Sequence, residues 1–315
     1  MNTPLPPLSV VVPTHDTREL TLRCLETVEA EGTAGLDVVV VDDGSSDGTA
    51  GALAAAHPRV RVVRLSPAQG FTRAANRGLA EAGGGVLLLL NSDTEVAPGA
   101  FAPLLVAFER DPRLGAAGAA LHYPDGSPQW SGGRAPTLLW LFSLASGLPP
   151  LLSRLPGWRR AKPVGAPASR VEWVTGAALA LRRRAWEEVG PFDEGFRFYG
   201  QDLDLCLRLR DAGWKVELVP GLRVLHHHGA TIGSRSHLEL QWTDLLRWAR
   251  KHRGAGFARR AASALRGGAA LRRLGRALAS PFVPADRRKA WRAESAALRR
   301  AMDAVAKLAK AKRPV

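Results

Sequence analysis

Four short clusters in the sequence carry the residue types that bind metal ions and accept protons. They are Asp42-Asp43, Asn91-Ser92-Asp93, Gln201-Asp202-Leu203-Asp204 and His226-His227-His228. Carboxylate oxygens suit hard cations, and Mg²⁺ typically takes one or two carboxylates together with phosphate oxygens of a ligand. A neutral histidine beside carboxylates can be a further ligand, and an ionised carboxylate can act as a general base. The clusters therefore predict a site for Mg²⁺ or Mn²⁺ and a carboxylate base.

The spacing within a cluster decides which side chains share a face. Asp202 and Asp204 open a predicted helix, and residues two apart on a helix point to different faces, so only one of them faces the site. A carboxylate at a helix N-terminus is stabilised as the anion, which predicts a lowered pKa for such a base. On a strand, alternation places His226 and His228 on one face and His227 on the other.

Each cluster also has a structural alternative. Asp43 and Asp93 could cap the helices that follow them, because acids are common at helix N-termini. The histidines could lie at an exposed strand end. Gly70 opens a predicted helix whose backbone N–H groups, together with Arg73, could face an anion. The same pattern also fits an ordinary amphipathic helix, so no cluster taken singly decides between the two interpretations.

The elements that must position these clusters alternate between buried strands and helices. Apolar runs predict strands at 8–12, 36–41, 60–65 and 86–90, and helical spacing predicts helices at 17–31, 50–56 and 70–82. Such alternation is typical of an α/β fold with a mainly parallel central sheet and helices on both faces. In such sheets ligands bind beyond the carboxyl ends of the strands, where Thr14-His15-Asp16, Asp42-Asp43 and Asn91-Ser92-Asp93 fall.

The second half of the chain begins with a segment that has no clear periodicity. Residues 123–170 are rich in Pro, Gly, Ser and Trp and are predicted to form a long loop with one apolar segment. Ordered structure is predicted to resume as a segment at 171–181, a helix at 201–213, strands at 215–219 and 222–228, and helices at 237–253, 256–279 and 285–311.

Composition excludes several classes of protein. The chain has 315 residues, 46% of them hydrophobic, which excludes a disordered or collagen-like protein. Its two cysteines cannot build a disulfide framework and fit a reducing compartment. The apolar stretch at 137–153 is too short, and too interrupted by Pro149 and Pro150, to span a membrane. The first residues lack a basic stretch before a long apolar run, so we expect no signal peptide and a cytoplasmic protein.

The net charge of +15 is confined to the end of the chain. Residues 246–315 hold 20 Lys and Arg against 3 Asp and Glu, whereas residues 1–245 hold 24 against 26. This asymmetry predicts a near-neutral domain at 1–245 and a basic helical extension at 246–315 with an anionic partner.

An anionic membrane surface is the partner that we favour for this extension, because basic amphipathic helices bind anionic lipid faces. It would place the protein peripherally on the cytoplasmic side. A solvated extension and a subunit contact in a homo-oligomer stay open. Specific nucleic-acid binding is not expected, because Phe257, Phe282 and Trp291 are the few aromatic residues interleaved with the basic ones after residue 255.

Seven segments, taken in order, carry a resemblance to a known family. They are VVVPTHD at 10–16, VVDDGSSDGT at 40–49, GFTRAANRGL at 70–79, LLLLNSDT at 87–94, WVTGAALALRR at 173–183, GPFDEGFRFYGQDLDLCLRLRDAGW at 190–214 and VLHHHGATIGS at 224–234. With them the chain resembles the family 2 glycosyltransferases of the GT-A fold, in particular the bacterial rhamnosyltransferase-like branch. The ordered set is far more specific than any one motif.

The resemblance implies a role for each matching position. The nucleotide-sugar donor is bound by Pro13, Thr14, Asp42, Asp43, Gly70, Arg73, Asn76, Asn91, Ser92 and Asp93. The acceptor cleft is lined by Trp173, Thr175, Gly176, Ala177 and Gln201. Asp93 stands where the last Asp of the family's DxD motif holds Mg²⁺ or Mn²⁺ and the diphosphate. His226 adds a metal ligand, with His228 as the reserve candidate, and Asp202 is the catalytic base.

Three positions depart from the family's pattern. Asn91 replaces the first Asp of the DxD motif, and Ala68 stands where an Asn usually precedes Gly70-Phe71. Gln201 replaces the Glu of the usual Glu-Asp pair. Since an amide cannot accept a proton as a base, the assignment of the base depends on Asp202 alone, and an inactive family member stays an alternative.

The reaction implied is inverting transfer of a sugar to a hydroxyl of a glycan or lipid-linked glycan in cell-envelope polysaccharide synthesis. The branch favours dTDP-rhamnose as the donor, with a UDP-sugar second. Two other classes stay open. A sugar nucleotidyltransferase of similar fold would carry a Gly-rich, Lys-containing loop near the first strand, but the segment VVPTHDTREL has neither residue. A non-enzymatic nucleic-acid-binding protein would use the basic extension.

Overall fold

A computed structural model describes residues 8–148, 171–197, 199–227 and 238–310. The chain divides into two compact units. The sheet unit comprises Met1–Arg134, Lys162–Glu194 and Gln201–Gly233, and the helical unit comprises Ala135–Ala161, Gly195–Gly200 and Ser234–Val315. These units are not the same as the predicted domains 1–245 and 246–315, and that division stays a prediction.

The strands of the described residues form two sheets. They are β1 (Leu8–Thr14), β2 (Asp37–Asp42), β3 (Arg61–Arg64), β4 (Val86–Leu90), β5 (Thr94–Val96), β6 (Leu114–His122), β7 (Gly132–Gly133), β8 (Trp173–Val174), β9 (Ala178–Arg182) and β10 (Lys215–His226). Eight of them form the main sheet in the order β3-β2-β1-β4-β9-β6-β10-β5, and β7 pairs with β8.

The helices of the described residues complete the element order. They are α1 (Arg18–Ala30), α2 (Thr49–Ala56), α3 (Phe71–Glu81), α4 (Phe101–Arg110), α5 (Leu138–Ser146), α6 (Arg183–Val189), α7 (Gln201–Asp211), α8 (Leu238–Ala279) and α9 (Ala285–Lys310), with a 3₁₀ turn at Ser280–Phe282 between the last two.

The main sheet is parallel in its first half and mixed in its second half. Strands β3, β2, β1 and β4 are all parallel neighbours, as are β6 and β10. Strand β9 runs antiparallel to both β4 and β6, and β5 runs antiparallel to β10. The successive residues Val10, Val11 and Val12 of β1 are fully buried, which requires cover on both faces of the sheet because neighbouring side chains point to opposite faces. The predicted mainly parallel α/β fold is confirmed.

Register places the predicted clusters at one edge of the sheet. Thr14, at the end of β1, is paired with Asp42, at the end of β2, in parallel register. Strand β4 lies on the other side of β1 in parallel register, so Asn91 follows its carboxyl end at the same edge. Three polar segments therefore converge because three adjacent parallel strands end there.

Some elements escaped the sequence pattern. Strand β6 reads LGAAGAALH, and its small residues lack the β-branched and aromatic signal of a typical strand. The predicted loop at 123–170 holds β7 and α5 in its described part, and residues 149–170 lie outside the described residues. The two strands predicted at 215–219 and 222–228 form one strand, β10, with a register shift between Val219 and Arg223.

The helical unit contains α5, α8 and α9. Helix α8 is interrupted at Gly254, whose φ of 80° is not helical, so the predicted helices at 237–253 and 256–279 are confirmed as two segments. Helix α8 packs on both α5 and α9. At Gly268 a Cβ atom would lie 2.2 Å from the Phe142 carbonyl oxygen, so only glycine lets α5 and α8 approach this closely. Within the described ranges, we find no helix with the length and apolar character that crossing a bilayer requires.

Candidate active site

Asp43 anchors the loop that leads into α3. Its carboxylate oxygens accept hydrogen bonds from the backbone N–H groups of Gln69 at 2.6 Å and Gly70 at 2.8 Å. Gly70 has a φ of 92°, a conformation that L side chains rarely adopt. In the helix that follows Asp43 in sequence, the first N–H, that of Thr49, donates to the Asp47 carboxylate instead. Asp43 therefore does not cap that helix; it fixes the start of α3 beside the strand ends.

Asp42 stabilises the turn after β2. The residue is fully buried, and its Oδ1 accepts the N–H of Ser45 at 2.8 Å. Its Oδ2 lies 3.7 Å from Nε of Arg64, which is the end of the neighbouring strand β3. Both acidic residues of the predicted nucleotide pocket therefore accept hydrogen bonds from backbone N–H groups at this edge of the sheet. Asp43 lies on the α3 side and Asp42 on the β3 side.

A chain of hydroxyl groups joins the end of β1 to the end of β4. Thr14 Oγ1 lies 2.9 Å from Thr17 Oγ1 and 2.7 Å from Thr21 Oγ1, and Thr17 Oγ1 lies 3.0 Å from Ser92 Oγ. Pro13 is paired with Val41 in the β1–β2 register. The predicted donor residues Pro13, Thr14 and Ser92 therefore lie together, and the buried hydroxyls of Thr14 and Ser92 belong to one network.

His15 is a residue of this edge that the sequence did not assign a role. Its Nδ1 lies 2.7 Å from the carbonyl oxygen of Asp43, and about half of its side chain is exposed. Asp16, next in the chain, has a φ of 50° and accepts the N–H of Ser46 at 2.6 Å. These hydrogen bonds join the loop after β1 to the loop after β2. The position of His15 directly after a predicted strand was the sequence signal that could have given it a role at this edge.

Asp93 and His226 form a buried pair at the end of β4. His226 Nε2 lies 3.3 Å from Asp93 Oδ1, and both side chains are almost fully buried. They meet because β10 pairs with β5, which places His226 opposite Thr94, and because the N–H of His227 donates to the Asp93 carbonyl oxygen. The two predicted metal ligands, 133 positions apart in the sequence, are thus brought together.

Gln129 fixes the imidazole of His226 and was missed by the sequence analysis. Its Nε2 donates to the His226 carbonyl oxygen at 2.6 Å, and its Oε1 lies 2.9 Å from His226 Nδ1. Since an amide oxygen only accepts, Nδ1 carries the proton, and in the neutral ring Nε2 presents its lone pair toward Asp93. Two acceptor atoms that face each other in a buried place fit a bound cation.

His227 has a different partner from His226, as the predicted alternation requires. His227 Nε2 contacts Glu95 Oε1 at 2.7 Å and so belongs to the other face of the strand. His228, the reserve ligand, lies outside the described residues. In the part of the chain that the structure describes, no three His, Cys, Asp or Glu side chains form a metal-holding group. Two protein ligands fit Mg²⁺ or Mn²⁺, which take their remaining ligands from phosphate and water.

Asp202 is held at the start of α7 by backbone donors. Its Oδ2 accepts the N–H of Gly176 at 2.9 Å, and its Oδ1 accepts the N–H of Leu203 at 2.8 Å. Burial raises the pKa of the Asp202 carboxyl, against these N–H groups, which lower it. The predicted lowering of the pKa at a helix N-terminus is therefore wrong in sign, because removal from water outweighs the dipole and the hydrogen bonds.

Asp204 faces away from Asp202, as the helical spacing predicts. Its carboxylate accepts from Nε of Arg208 at 2.9 Å, one turn along α7. Gln201 is buried, and among the described residues its Oε1 has no hydrogen-bond partner. The amide that replaces the family's Glu thus sits buried next to Asp202, and its place in the acceptor cleft stays a prediction.

The loop between β8 and β9 links the two carboxylate sites. Gly176 donates to Asp202, and the next residue, Ala177, accepts the N–H of Asn91 at 3.0 Å. Thr175 donates its own N–H to the Ser131 carbonyl oxygen. The predicted base and the Asn91–Asp93 segment are therefore joined through two consecutive residues of one short loop.

Three predicted site residues make their described contacts elsewhere. The Asn76 side-chain amide donates to the Phe192 carbonyl oxygen and accepts the Phe192 N–H, both at 2.9 Å, and Arg73 pairs with Glu194 at 3.0 Å. The indole N–H of Trp173 donates to the Arg134 carbonyl oxygen at 3.0 Å. These contacts tie α3 to the turn at 192–194 and fix β8; the donor and acceptor roles of Asn76, Arg73 and Trp173 stay predictions.

The two cysteine thiols are buried and protonated near neutral pH. Cys24 and Cys206 are buried, and burial raises the pKa of both thiols to about 12. A thiolate is the reactive form, so neither residue is a nucleophile near neutral pH.

Comparison with known proteins matches the chain to two family models. The model described as Glycosyl transferase family 2 matches residues 9–161, and the one described as Glycosyl transferase family group 2 matches residues 160–287. A relative from Mycobacterium tuberculosis, an N-acetylglucosaminyl-diphospho-decaprenol L-rhamnosyltransferase, is 32% identical over 72% of this chain and 78% of its own. The O-antigen biosynthesis protein RfbC of Myxococcus xanthus is 30% identical over 72% of this chain and 18% of its own.

Solved structures show a similar fold. GalNAc-T7 with UDP, GalNAc and Mn²⁺ has a TM-score of 0.61 at 19% identity, covering 83% of this chain and 52% of that one. The mannosyltransferase PcManGT of Pyrobaculum calidifontis, in complex with GDP-Man and Mn²⁺, has a TM-score of 0.53 at 19% identity, covering 99% of this chain and 89% of that one.

Proposed function

The chain belongs to glycosyl transferase family 2, has a GT-A fold and is a glycosyltransferase. We propose that it transfers rhamnose to a lipid-linked glycan, with Asp202 as the base. One observation carries this proposal: Gly176 binds the Asp202 carboxylate and Ala177 binds the Asn91 backbone. The proposed proton acceptor and the segment proposed to bind the diphosphate are thus hydrogen-bonded to the same loop. Membership of the family sets aside the nucleotidyltransferase and nucleic-acid-binding alternatives.

The substrates are proposed from the relatives. The mycobacterial relative is named for transfer of L-rhamnose to a diphosphate-linked decaprenol glycan, and the chain covers 78% of it. This supports dTDP-rhamnose as the donor, with a UDP-sugar second, and a diphosphate-linked lipid glycan of cell-envelope polysaccharide as the acceptor. Such an acceptor would place the enzyme at the cytoplasmic face of a membrane.

A divalent cation fits the place between Asp93 and His226. The carboxylate Oδ1 and the imidazole Nε2 face each other at 3.3 Å, and Gln129 holds the ring through Nδ1, so that Nε2 points toward Asp93. We propose that these two residues hold Mg²⁺ or Mn²⁺ together with the donor diphosphate. When bound, such an ion neutralises negative charge that develops on the leaving diphosphate.

The remaining residues position the donor and move one proton. Asp43 holds the start of α3 at the strand ends by accepting the backbone N–H groups of Gln69 and Gly70. Asp202 takes the proton from the acceptor hydroxyl while the hydroxyl oxygen attacks the anomeric carbon and the bond from that carbon to the diphosphate breaks. The raised pKa of Asp202 makes it a better proton acceptor than an ordinary aspartate. A single attack from the face opposite the nucleotide inverts the configuration at that carbon.

A donor screen tests this proposal. The purified chain is incubated with dTDP-rhamnose, UDP-sugars and GDP-sugars, each with Mg²⁺, Mn²⁺ or a chelator, and a diphosphate-linked polyprenol glycan. We expect transfer from dTDP-rhamnose that stops with the chelator. Transfer from another donor alone would overturn the donor, and full activity in chelator would overturn the metal. No transfer from any donor would favour an inactive family member.

A further inference from the structure

A cavity of about 500 Å³ lies between α8 and α9 in the helical unit. Its wall carries Arg273, Arg276, Arg288, Arg292 and Arg299, together with Trp291. We call it the arginine cavity. Neither the proposed chemistry of the sheet unit nor any family motif uses these residues.

The arginine cavity has an excess of positive charge. Arg276 shares the carboxylate of Glu294 with Arg272, and its guanidinium lies 5.5 Å from the centre of the Trp291 ring. Within residues 238–310 and the other described ranges, the structure gives no carboxylate partner to the other four arginines of the wall. From Arg259 to Arg276, α8 carries six arginines and no acidic residue. A cavity with four uncompensated guanidinium groups fits a ligand with phosphate oxygens.

An exposed apolar strip begins at the rim of the same cavity. Leu271, Leu274 and Leu278 follow helical spacing on one face of α8, and Leu274 lines the cavity. Leu278 is 69% exposed, and Phe282, in the 3₁₀ turn that follows, is 87% exposed. Large apolar side chains grouped next to basic ones are typical of surfaces that enter the headgroup and acyl boundary of a bilayer.

We propose that this surface docks on an anionic membrane, with a phospholipid phosphate in the arginine cavity and the apolar strip among the acyl chains. The charge of the cavity complements the phosphate, and the strip complements the lipid tails, so both features call for one amphipathic ligand. A nucleic acid would match the charge but leave the strip in water. The one aromatic ring of the cavity, Trp291, is also already in contact with the guanidinium groups of Arg276 and Arg287. The proposal goes beyond the proposed transfer reaction and needs none of its residues.

The test is sedimentation of the full chain with vesicles of phosphatidylcholine, with and without phosphatidylglycerol. We expect binding only to the anionic vesicles. Replacing three wall residues in one variant, Arg273→Gln, Arg288→Gln and Arg292→Gln, should weaken binding roughly a hundredfold, since each basic residue near an anionic surface adds roughly a factor of five. Thermal unfolding of the variant is measured alongside, to check that it is folded.

A matched variant removes the same charge outside the cavity. Arg259→Gln, Arg260→Gln and Arg300→Gln change exposed residues of the same two helices, and should weaken binding much less. Equal losses of vesicle binding in the two triple variants would mean that the basic residues attract the membrane without a defined site. That result would overturn the assignment of the arginine cavity as the phosphate site. A pair in the apolar strip, Leu278→Ser with Phe282→Ser, should weaken binding by about tenfold or more, whereas Val106→Ser, an exposed site on α4, should not.

Two soluble ligands separate the membrane from other sources of phosphate. Calorimetry of the full chain with inorganic phosphate, and with duplex DNA, should show weak binding compared with anionic vesicles. Tight binding of inorganic phosphate or of DNA that the wall variant abolishes, without vesicle binding, would overturn the proposal. Absence of binding to anionic vesicles by the unmodified chain would overturn it as well.

Discussion

At the scale of single residues, burial decides the chemistry of the carboxylates. The sequence predicted the positions of Asp93, Asp202 and His226, and the opposite faces of Asp202 and Asp204. It predicted the wrong direction for the pKa shift of Asp202, because the desolvation of a side chain depends on residues that are distant in sequence. Gln129 was missed for a similar reason, since its partner His226 is 97 positions away and no local pattern links them.

Loss of the proposed base should stop the reaction without loss of the donor site. We expect Asp202→Asn to lower kcat by about 10²–10⁴-fold, the usual contribution of a general base, with donor affinity almost unchanged. Asp211→Asn, an exposed carboxylate at the other end of α7, is the matched control and should keep full activity. Steady-state kinetics and donor calorimetry measure both quantities, and substantial turnover by Asp202→Asn would refute the assignment.

The pH profile follows from the raised pKa of Asp202. The base works only when deprotonated, so kcat/KM should fall as the pH is lowered through a pKa above the ordinary aspartate value of 3.8. The stability has the opposite trend, because a group with a raised folded pKa loses its contribution as the pH rises through that pKa. An activity limb at or below the ordinary value would contradict the raised pKa of Asp202.

The ring of His226 should depend on Gln129. Replacing Gln129 with Leu removes the acceptor that holds Nδ1–H, and partners of metal-binding histidines typically contribute about 10–100-fold in metal affinity. We expect a loss of that order in Mn²⁺ binding, measured by calorimetry with the donor nucleotide present. Gln69→Leu, whose contact with Asp43 uses only its backbone, is the control. Unchanged Mn²⁺ affinity in the Gln129 variant would mean that this ring is not a ligand.

At the scale of elements, the sequence predicted the strands and helices that carry strong periodicity. The parallel strands β1, β2 and β4 could be predicted because both of their faces are buried and their apolar runs are continuous. Strand β6 could not be predicted, because it is rich in Ala and Gly, whose preference for strands is weak. Helices α4 and α6 were not predicted either. The antiparallel β9 depends on pairing with β4 and β6, which only the folded sheet determines.

The turn into α3 offers a test at this scale. Gly70→Ala places a side chain at a φ of 92°, which should cost about 1–3 kcal/mol and shift the N–H group that Asp43 binds. We expect a lower free energy of unfolding and weaker donor binding. The control Gly51→Ala lies in α2 with open space around it and should stabilise the fold by about 0.5–1 kcal/mol. Equal effects of the two changes in chemical denaturation would contradict the strained turn.

At the scale of the whole molecule, the sequence predicted that the charge of the chain belongs to its C-terminal helices. It did not predict that α5, from the long loop at 123–170, packs in the same compact unit as α8. This contact joins segments that are far apart in the chain and depends on the small residue Gly268. Neither a composition shift nor a charge run marks it.

The buried thiols give a prediction for the intact fold. Because burial raises the pKa of Cys24 and Cys206 to about 12, we expect neither to react with iodoacetamide in the native protein. Both should react after unfolding in denaturant, as counted by mass spectrometry. Rapid alkylation in the native state, or loss of transfer upon it, would show that a thiol is exposed in the working enzyme.

The configuration of the product tests the central claim most directly. The full chain is supplied with dTDP-rhamnose, Mn²⁺ and a diphosphate-linked polyprenol glycan, and the anomeric configuration of the new bond is determined by nuclear magnetic resonance. With Asp202 as a base that activates the acceptor for a single attack, we predict a configuration opposite to that of the donor. A product that retains the donor configuration would contradict the account.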